Sequence, residues 1–170
     1  MSLRHFFIAS SLILAPITTL GFGSAAFANT ATDSIILSGT VESQILIDAT
    51  PTTNASALPM DQSNIVHIAD LDITSNNPEG ISIGASSTNN GKLKSINGDE
   101  IEYAIAIVND NSGTPSTSAT TSLSSFGQNV TGFDPETGLK SMDLYISYDV
   151  GGMPKQGTYT DTITITIMDN

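Results

Sequence analysis

The sequence predicts an all-β sandwich. Threonine, serine, isoleucine, asparagine and glycine dominate its composition, whereas the helix-favouring residues glutamate, lysine and arginine are sparse. Beyond residue 28, no segment shows the i, i+3, i+4, i+7 apolar spacing of an amphipathic helix. Apolar and polar residues instead alternate, most strictly near the C-terminus, where threonines separate Ile163, Ile165 and Ile167. This period of two is typical of a strand with one buried face.

The first 28 residues have the parts of a secretory signal peptide. Arg4 supplies the positive charge, residues 6–20 form the apolar stretch, and Ala26 and Ala28 flank Phe27 as a small-x-small cleavage site. Small residues rather than a cationic stop-transfer cluster follow the apolar stretch, which disfavours a retained membrane anchor. We therefore expect an exported chain that begins at Asn29.

Charge and composition exclude several classes of function. The formal net charge of −12 argues against nucleic acid as a partner, because phosphate binding needs a cationic surface. Cysteine is absent, so disulfides and cysteine-metal sites are excluded. His67, the one histidine after the signal peptide, shares the parity of Ile65 and Leu71 and is interpreted as a core or rim residue. No catalytic motif accompanies it, so we predict no catalytic residue, metal ligand or cofactor, and no enzyme.

Alternating segments and turn signals divide the chain into about seven strands. Asn90-Gly91 and Asn97-Gly98 are tight-turn dipeptides. Turns every 8–12 residues between short strands are typical of an immunoglobulin-like sandwich. The predicted strands are Ser34–Asp48, Asn64–Ser75, Ile81–Ser87, Lys92–Ile96, Glu100–Val108, Lys140–Val150 and Gly157–Asn170.

Several of these elements carry more specific expectations. Ile81–Ser87 is predicted to form a hairpin with Asn64–Ser75, and the lysines of Lys92–Ile96 are typical of a guarded edge strand. A structureless loop of about thirty residues would be unusual, so residues 109–138 are expected to hold a short strand or folded loop. Its apolar residues should pack against the rim of the sandwich: Leu123, Phe126, Val130 and Phe133.

The first predicted strand is unusually long. Ser34–Asp48 has fifteen residues, whereas strands usually have about five or six. It is either two strands joined by a bend near Gly39 or one segment that serves two sheets. Its first apolar residues share one parity directly after a short polar leader: Ile35, Leu37, Gly39 and Val41.

The last strand is predicted to bury one face, including Ile163 and Ile165. Asp161 shares this inward parity, so it should lie near the start of the strand, where backbone amides or solvent can satisfy its carboxylate. Tyr159, close to the same point, is a candidate for a tyrosine corner by analogy.

The C-terminal segment 154–167 resembles the end of spore coat protein U-like domains and archaic chaperone-usher pilins. The resemblance rests on a glycine, a tyrosine and an aspartate at Gly157, Tyr159 and Asp161, followed by alternating hydrophobic residues. Lys92-Leu93-Lys94 with Glu102-Tyr103 is similar to the middle of those domains. Many of these pilins have an early disulfide, so this chain resembles a cysteine-free variant.

The resemblance implies an immunoglobulin-like sandwich that lacks its own seventh strand. Residues 1–28 would be the signal peptide, 29–41 a donor strand and 42–170 the pilin domain. The subunit would pass through the periplasm with a chaperone, meet an outer-membrane usher and join other pilin subunits in a fimbrium at the cell surface, in adhesion or biofilm formation. The implied donor residues are Ile35, Leu37, Gly39 and Val41, and the implied acceptor-groove strand contains Tyr159, Asp161, Ile163, Ile165 and Ile167.

A second hypothesis remains open from the residues alone. Ser34–Asp48 could be the internal first strand of a self-contained secreted sandwich, which would act as a binding module for a ligand or calcium. Carboxylates are calcium ligands, although none of the clusters has EF-hand spacing. The acidic clusters are Asp70/Asp72, Asp99/Glu100/Glu102 and Asp134/Glu136.

Overall fold

The computed structural model describes residues 31–170. The chain divides into a segment that ends at Gly39 and a compact unit, Thr40–Asn170. The predicted signal peptide and the first two residues of the predicted donor segment lie outside the described residues. Within the described part, no helix is long and apolar enough to cross a membrane.

The compact unit is built almost wholly of strands. Its helical elements are short: α1 (Thr53–Ser56) and two 3-10 turns, Thr117–Ala119 and Leu123–Ser125. The strands are β1 (Ile45–Pro51), β2 (Asn64–Ser75), β3 (Ile81–Ser87), β4 (Lys92–Ser95), β5 (Glu100–Asn109), β6 (Thr121–Ser122), β7 (Gly127–Val130), β8 (Leu139–Tyr148), β9 (Tyr159–Thr160) and β10 (Ile163–Asp169).

The strands form two antiparallel sheets. The first has the order β1-β2-β8-β5-β4-β9, with β6 beside β5, and the second has the order β10-β3-β7. The core lies between them, and its fully buried side chains come from both sheets. Each such side chain stabilises the fold by about 1.5–3 kcal/mol through its burial. The prediction of an all-β, immunoglobulin-type sandwich is confirmed. The largest of these side chains are Leu71, Ile73 and Ile105 in the first sheet and Ile81 and Ile83 in the second.

The predicted first strand is mostly wrong. Residues 31–44 form no strand, and β1 begins only at Ile45 and runs to Pro51. The prediction fails because alternation identifies a segment with one apolar face but not the edge with which it pairs. β1 pairs with β2 from Ile45 opposite Ser75 to Pro51 opposite Ala69.

The predicted hairpin of β2 and β3 is also wrong. β3 pairs with β10 and β7, because the turn after β2 carries the chain across to the second sheet. Gly80 makes this crossing: it has φ of 83°, and a Cβ there would lie 2.2 Å from the Val130 carbonyl oxygen. Only glycine fits a position that combines a positive φ with so close an approach to a neighbouring backbone atom. β4 is likewise not an edge, since β9 pairs with it opposite β5.

A β-bulge changes which side chains of β2 face the core. The register shifts between His67 and Ala69, so that Val66 and Ile68 are buried before the bulge and Ala69 and Leu71 after it. A bulge inserts one residue and therefore reverses the alternation beyond it. His67 consequently lies on the outer face, opposite to the face of Leu71, and its predicted core-side parity is wrong.

The stretch 109–138 is folded, as expected. It holds β6, β7 and the two 3-10 turns. Leu123 and Val130 are buried in the core, while Phe126 and Phe133 pack against it with part of each ring exposed.

Candidate functional site

The C-terminal strand does not run unbroken from Gly157. Its first part, β9, pairs with β4 in the first sheet, and its second part, β10, pairs with β3 in the second sheet. The chain changes sheets at Asp161 and Thr162. Tyr159 therefore lies in a different sheet from the three isoleucines with which it was grouped.

β10 is an edge strand. Within residues 31–170, its hydrogen-bonded neighbour is β3 on one side, and no strand pairs with its other side. An edge of this kind presents a row of backbone N–H and C=O groups that can pair with another strand. β10 has seven residues, so at about 3.3 Å per residue its edge is roughly 20 Å long.

The inward side chains of β10 are only partly buried. Ile163, Ile165 and Ile167 pack against the core, and Thr164 and Thr166 between them are exposed. The predicted parity is confirmed, but the prediction that Ile163 and Ile165 are buried is wrong for this chain. They have the core on one side, and no strand of residues 31–170 covers them on the other.

An apolar cavity of about 310 Å³ lies beside β10. Ile163 and Ile165 line it on one side, and Ala49 and Pro51 of β1 line it on the other. We call this space, with β10 and β1 as its two banks, the groove. Its floor is the sandwich core, including Leu71 and side chains of β5 and β8. An apolar cavity of about 150 Å³ already holds a benzene molecule, so the groove has room for more than one aliphatic side chain.

The groove is closed at one end. The Ser43 hydroxyl donates a hydrogen bond to the Asp169 carboxylate, which joins the chain before β1 to the end of β10. Asn77 Nδ2 donates to the other oxygen of Asp169 at 3.3 Å, and the Gln44 amide donates to Asn76 Oδ1 at 2.8 Å. These polar contacts bring β1 and β10 together at the Asp169 end, whereas the apolar cavity separates them toward Ile163.

Asp161 fixes the other end of the groove. Its Oδ1 accepts hydrogen bonds from the backbone amides of Thr162 at 2.7 Å and Asn89 at 3.0 Å, and its Oδ2 accepts one from the Tyr103 hydroxyl at 2.9 Å. The expectation that backbone amides satisfy this inward carboxylate is confirmed. Burial, together with the Asp161 charge, raises the pKa of Tyr103. Asp161 is therefore a positioning residue that holds β10 where the chain changes sheets.

Tyr103→Phe should destabilise the chain by about 1.5–3 kcal/mol at neutral pH, because it removes a hydrogen bond to a charged group. The pKa of Tyr103 is raised on folding, so its contribution is present below the unfolded pKa of about 10 and declines as the pH rises above it. The variant should therefore lose less stability than the parent between pH 9 and pH 12. Urea unfolding across this range measures both effects, and parallel curves for the two proteins would contradict the assignment.

Tyr159 makes the hydrogen bond of a tyrosine corner. Its hydroxyl donates to the Lys155 carbonyl oxygen, four residues upstream, at 3.0 Å. Its ring packs against the core from β9, but it does not line the cavity. Ile167 lies further along the β10 edge and also stays outside the cavity lining. Of the predicted acceptor residues, the structure brings Asp161, Ile163 and Ile165 together at the cavity.

Sequence reasoning missed the second bank of the groove. Ala49, Pro51 and Leu58 lie between the predicted strands Ser34–Asp48 and Asn64–Ser75, yet all three line the cavity. The signal that could have found the first two is parity, since Ile47, Ala49 and Pro51 are two residues apart. Pro51 and Pro59 favoured a turn over a strand in this segment, although proline is tolerated at a sheet edge.

The predicted donor residues are highly exposed. The exposed fractions of Ile35, Leu37 and Val41 are 86%, 89% and 86%, and that of Ile36 is 91%. Residues 31–44 lie outside all strands, so the main chain there has no sheet partner among the described residues. Four large exposed hydrophobic side chains within seven residues are unusual unless the segment binds another surface.

Most carboxylates of the acidic clusters bind groups of the chain itself. Glu100 accepts from Lys92 and Lys94, each at 2.8 Å, and these hydrogen bonds lower its pKa to about 2. Asp99 pairs with Lys155 at 2.5 Å. Asp134 accepts hydrogen bonds from the backbone and hydroxyl of Thr137, which lower its pKa. These loops thus hold their carboxylates in internal contacts.

Ile165→Ala is expected to cost about 1–2 kcal/mol of unfolding free energy in the chain alone, below the 2–5 kcal/mol typical of a fully buried isoleucine. The reason is that Ile165 is only partly covered. Thr164→Ala, on the exposed face of the same strand, should change stability by less than about 0.5 kcal/mol. Chemical denaturation of both variants measures the difference, and equal losses would show that the two faces of β10 are packed alike.

Comparisons with known proteins find similarity to a solved structure but no matching family. No protein-family model and no curated protein sequence matches the chain. Among solved structures, the chain is similar to the crystal structure of the CsuC-CsuE chaperone-tip adhesion subunit pre-assembly complex from archaic chaperone-usher Csu pili of Acinetobacter baumannii. The TM-score is 0.44 and the identity 17%, over 75% of this chain and 40% of the other. At this level of similarity, the fold class rests on the strand pairing described above.

Proposed function

We propose that this chain is an exported structural subunit of a surface fibre, a pilin-like protein that assembles by strand exchange. The observation that supports it best is the edge of β10 that pairs with no strand in the described part of the chain and lies beside an apolar cavity of about 310 Å³. A self-contained sandwich would cover such an edge, because an open apolar edge promotes association. The β10 edge therefore serves as a docking site for a strand from another molecule.

The strand that docks is the N-terminal segment, residues 29–41, of the next subunit. Residues 35–41 match the seven residues of β10 in number, so an added strand would extend along the whole edge. Main-chain hydrogen bonds to β10 would give affinity, and side chains of one parity would fill the groove. Ile35, Leu37, Gly39 and Val41 have that parity, and Ile36 would face outward.

Export fits this role. The signal peptide of residues 1–28 takes the chain out of the cytoplasm and leaves Asn29 as the first residue of the donor segment. An open groove would aggregate in transit, so a periplasmic chaperone covers it and an outer-membrane usher exchanges the chaperone for the next donor at the cell surface. The subunit acts in adhesion or biofilm formation without enzymatic activity.

The test uses a subunit that lacks residues 29–39 and a synthetic peptide covering residues 30–41. The peptide should bind the truncated subunit and raise its melting temperature by roughly 5–15 °C at a hundredfold excess over its Kd, since it binds only the folded state. Calorimetry and thermal unfolding measure both quantities. A scrambled peptide of the same composition is the control.

Two results would overturn the proposal. One is a truncated subunit that fails to fold even when the peptide is present, which would make residues 29–39 an internal strand of a closed sandwich. The other is a full-length chain from Asn29 that sediments as a stable monomer in the absence of any chaperone. The expected behaviour of that chain is polymerisation, because each molecule carries both a donor segment and an open groove.

A further inference from the structure

A second polar cluster lies on the outer face of the first sheet, away from the groove. His67 Nε2 is 3.2 Å from Asp70 Oδ1, 3.7 Å from Asp143 Oδ1 and 3.0 Å from the Ala69 carbonyl oxygen. Asp70 and Asp143 are directly opposite each other in the β2–β8 pair. One nitrogen and two carboxylate oxygens thus converge within 4.8 Å of one another.

The β2 bulge brings this cluster together. In a regular strand, residues three apart point to opposite faces, so His67 and Asp70 could not meet. The extra residue between His67 and Ala69 returns both side chains to the outer face. The ring of Tyr145 stacks on the imidazole, with ring centroids 5.0 Å apart, and fixes its orientation. Sequence parity placed His67 toward the core, which is why no metal ligand was predicted.

Asp143 is the most informative member of the cluster. Its residue is 6% exposed, although it bears a carboxylate. Among the described residues, no hydrogen-bond donor contacts that carboxylate, and the His67 ring nitrogen at 3.7 Å is the partner that the structure gives it. Its neighbour on β5 is the apolar Val108. A carboxylate with so little exposure is costly unless a cation or hydrogen-bond donors accompany it, and the imidazole nitrogen at 3.7 Å lies beyond hydrogen-bond distance, so this position favours a bound cation.

No lysine or arginine in the described part of the chain neutralises the cluster. Lys92 and Lys94 bind Glu100, Lys155 binds Asp99, and Lys140 donates to the Thr131 carbonyl oxygen. Two carboxylates therefore share one imidazole.

We infer that His67, Asp70 and Asp143 bind a divalent transition-metal ion of the zinc class. A tetrahedral ion with bonds of about 2.0–2.2 Å holds its ligands about 3.4 Å apart, and the distances of 3.2 and 3.7 Å from His67 Nε2 bracket this value. The imidazole selects zinc, copper or nickel over calcium and magnesium, which prefer oxygen ligands. Nε2 would give up its hydrogen bond to Ala69 and carry no proton when it binds the ion.

Three protein ligands leave a fourth position on the ion open. Asp70 is exposed, with 60% of its side chain accessible, so the ion can enter from solvent and the open position faces outward. That position suits water or a donor atom from another molecule. The inference does not depend on strand exchange, since the cluster belongs to the outer face of the first sheet and none of its three proposed ligands lines the groove.

Zinc chloride titrated calorimetrically into the chain from Asn29 tests the inference, with calcium chloride in parallel. We expect one zinc ion per chain, and Asp143→Asn and Asp70→Asn should each weaken binding at least about tenfold. Asp72→Asn is the matched control: Asp72 lies on the same face but accepts a hydrogen bond from Ser141 at 2.6 Å. It should change the affinity by less than about twofold, because a screened surface charge acts weakly.

Nitrogen NMR of the imidazole provides a second readout. The chain has two histidines, and His5 lies in the predicted signal peptide, so His67 is the only imidazole after cleavage. Saturating zinc should shift the Nε2 resonance into the range of a metal-bound nitrogen, and melting curves without zinc show whether each variant is folded. Any of three results would overturn the inference: no saturable binding, equal weakening by Asp72→Asn and Asp143→Asn, or calcium binding as tight as zinc.

Discussion

Leu37→Asp in the chain from Asn29 should abolish fibre assembly, whereas Ile36→Asp should leave it intact. Both residues are large, apolar and about nine-tenths exposed in the single chain, with exposed fractions of 89% and 91%. Neither substitution should therefore change the folding of the subunit. They differ in parity alone: Leu37 would enter the groove of the next molecule, and Ile36 would face solvent.

The expected effect of Leu37→Asp is large because a carboxylate would be buried in an apolar groove without a partner. A penalty of about 4–5 kcal/mol would weaken each subunit contact by roughly a thousandfold. Electron microscopy and sedimentation after release from the chaperone would measure polymer length. Equal assembly by the two variants, or equal failure, would contradict the alternation that defines the donor strand.

The fold class was predictable because, in most strands, the alternation of apolar and polar residues in the sequence matches the alternation of buried and exposed side chains in the structure. β2 begins and ends at the residues expected, and β5 and β8 differ from their predicted bounds by one or two residues. The core faces of β5 and β8 follow the alternation in the sequence, as the burial of Ile105, Ile107 and Leu144 shows. Strands in the middle of a sheet are predictable since both their neighbours and their core face favour one register.

Pairing partners were not predictable from the same pattern. A strand such as β3 has the same alternation whether it forms a hairpin with β2 or crosses to the second sheet. The crossing depends on the close approach of Gly80 to Val130, a contact between residues fifty positions apart. The split of the C-terminal strand at Asp161 was equally hidden, because Tyr159 and Ile163 keep one parity across the break.

The candidate site was predicted on one bank only. Ile163 and Ile165 were found because an apolar face of β-branched residues is the strongest signal in the sequence. Ala49 and Pro51 are small or turn-forming residues, and their contribution is their position on β1 rather than their type. The outer-face cluster of His67 was missed for a different reason. A bulge cannot be recognised from an alternating sequence pattern alone, because it is defined by the pairing with the neighbouring strand.

The acceptor side of the exchange can be tested with its own pair of variants. Ile165→Asp should block the groove by placing a charge against the cavity that Ile165 lines. Thr166→Asp is the matched control, because Thr166 is exposed on the other face of β10. The Ile165→Asp chain should not accept a donor, but its own residues 35–41 are unchanged and can still donate.

Mixing the two defective chains then separates strand exchange from every other kind of association. The Leu37→Asp chain keeps its groove and cannot donate, and the Ile165→Asp chain keeps its donor segment and cannot accept. Each alone should remain monomeric, and the mixture should form one-to-one heterodimers with nothing longer, since the dimer has no functional donor or groove left. Analytical ultracentrifugation measures this directly. Long polymers in the mixture, or no dimer although both chains show cooperative melting, would mean that the β10 edge and residues 35–41 are not partners.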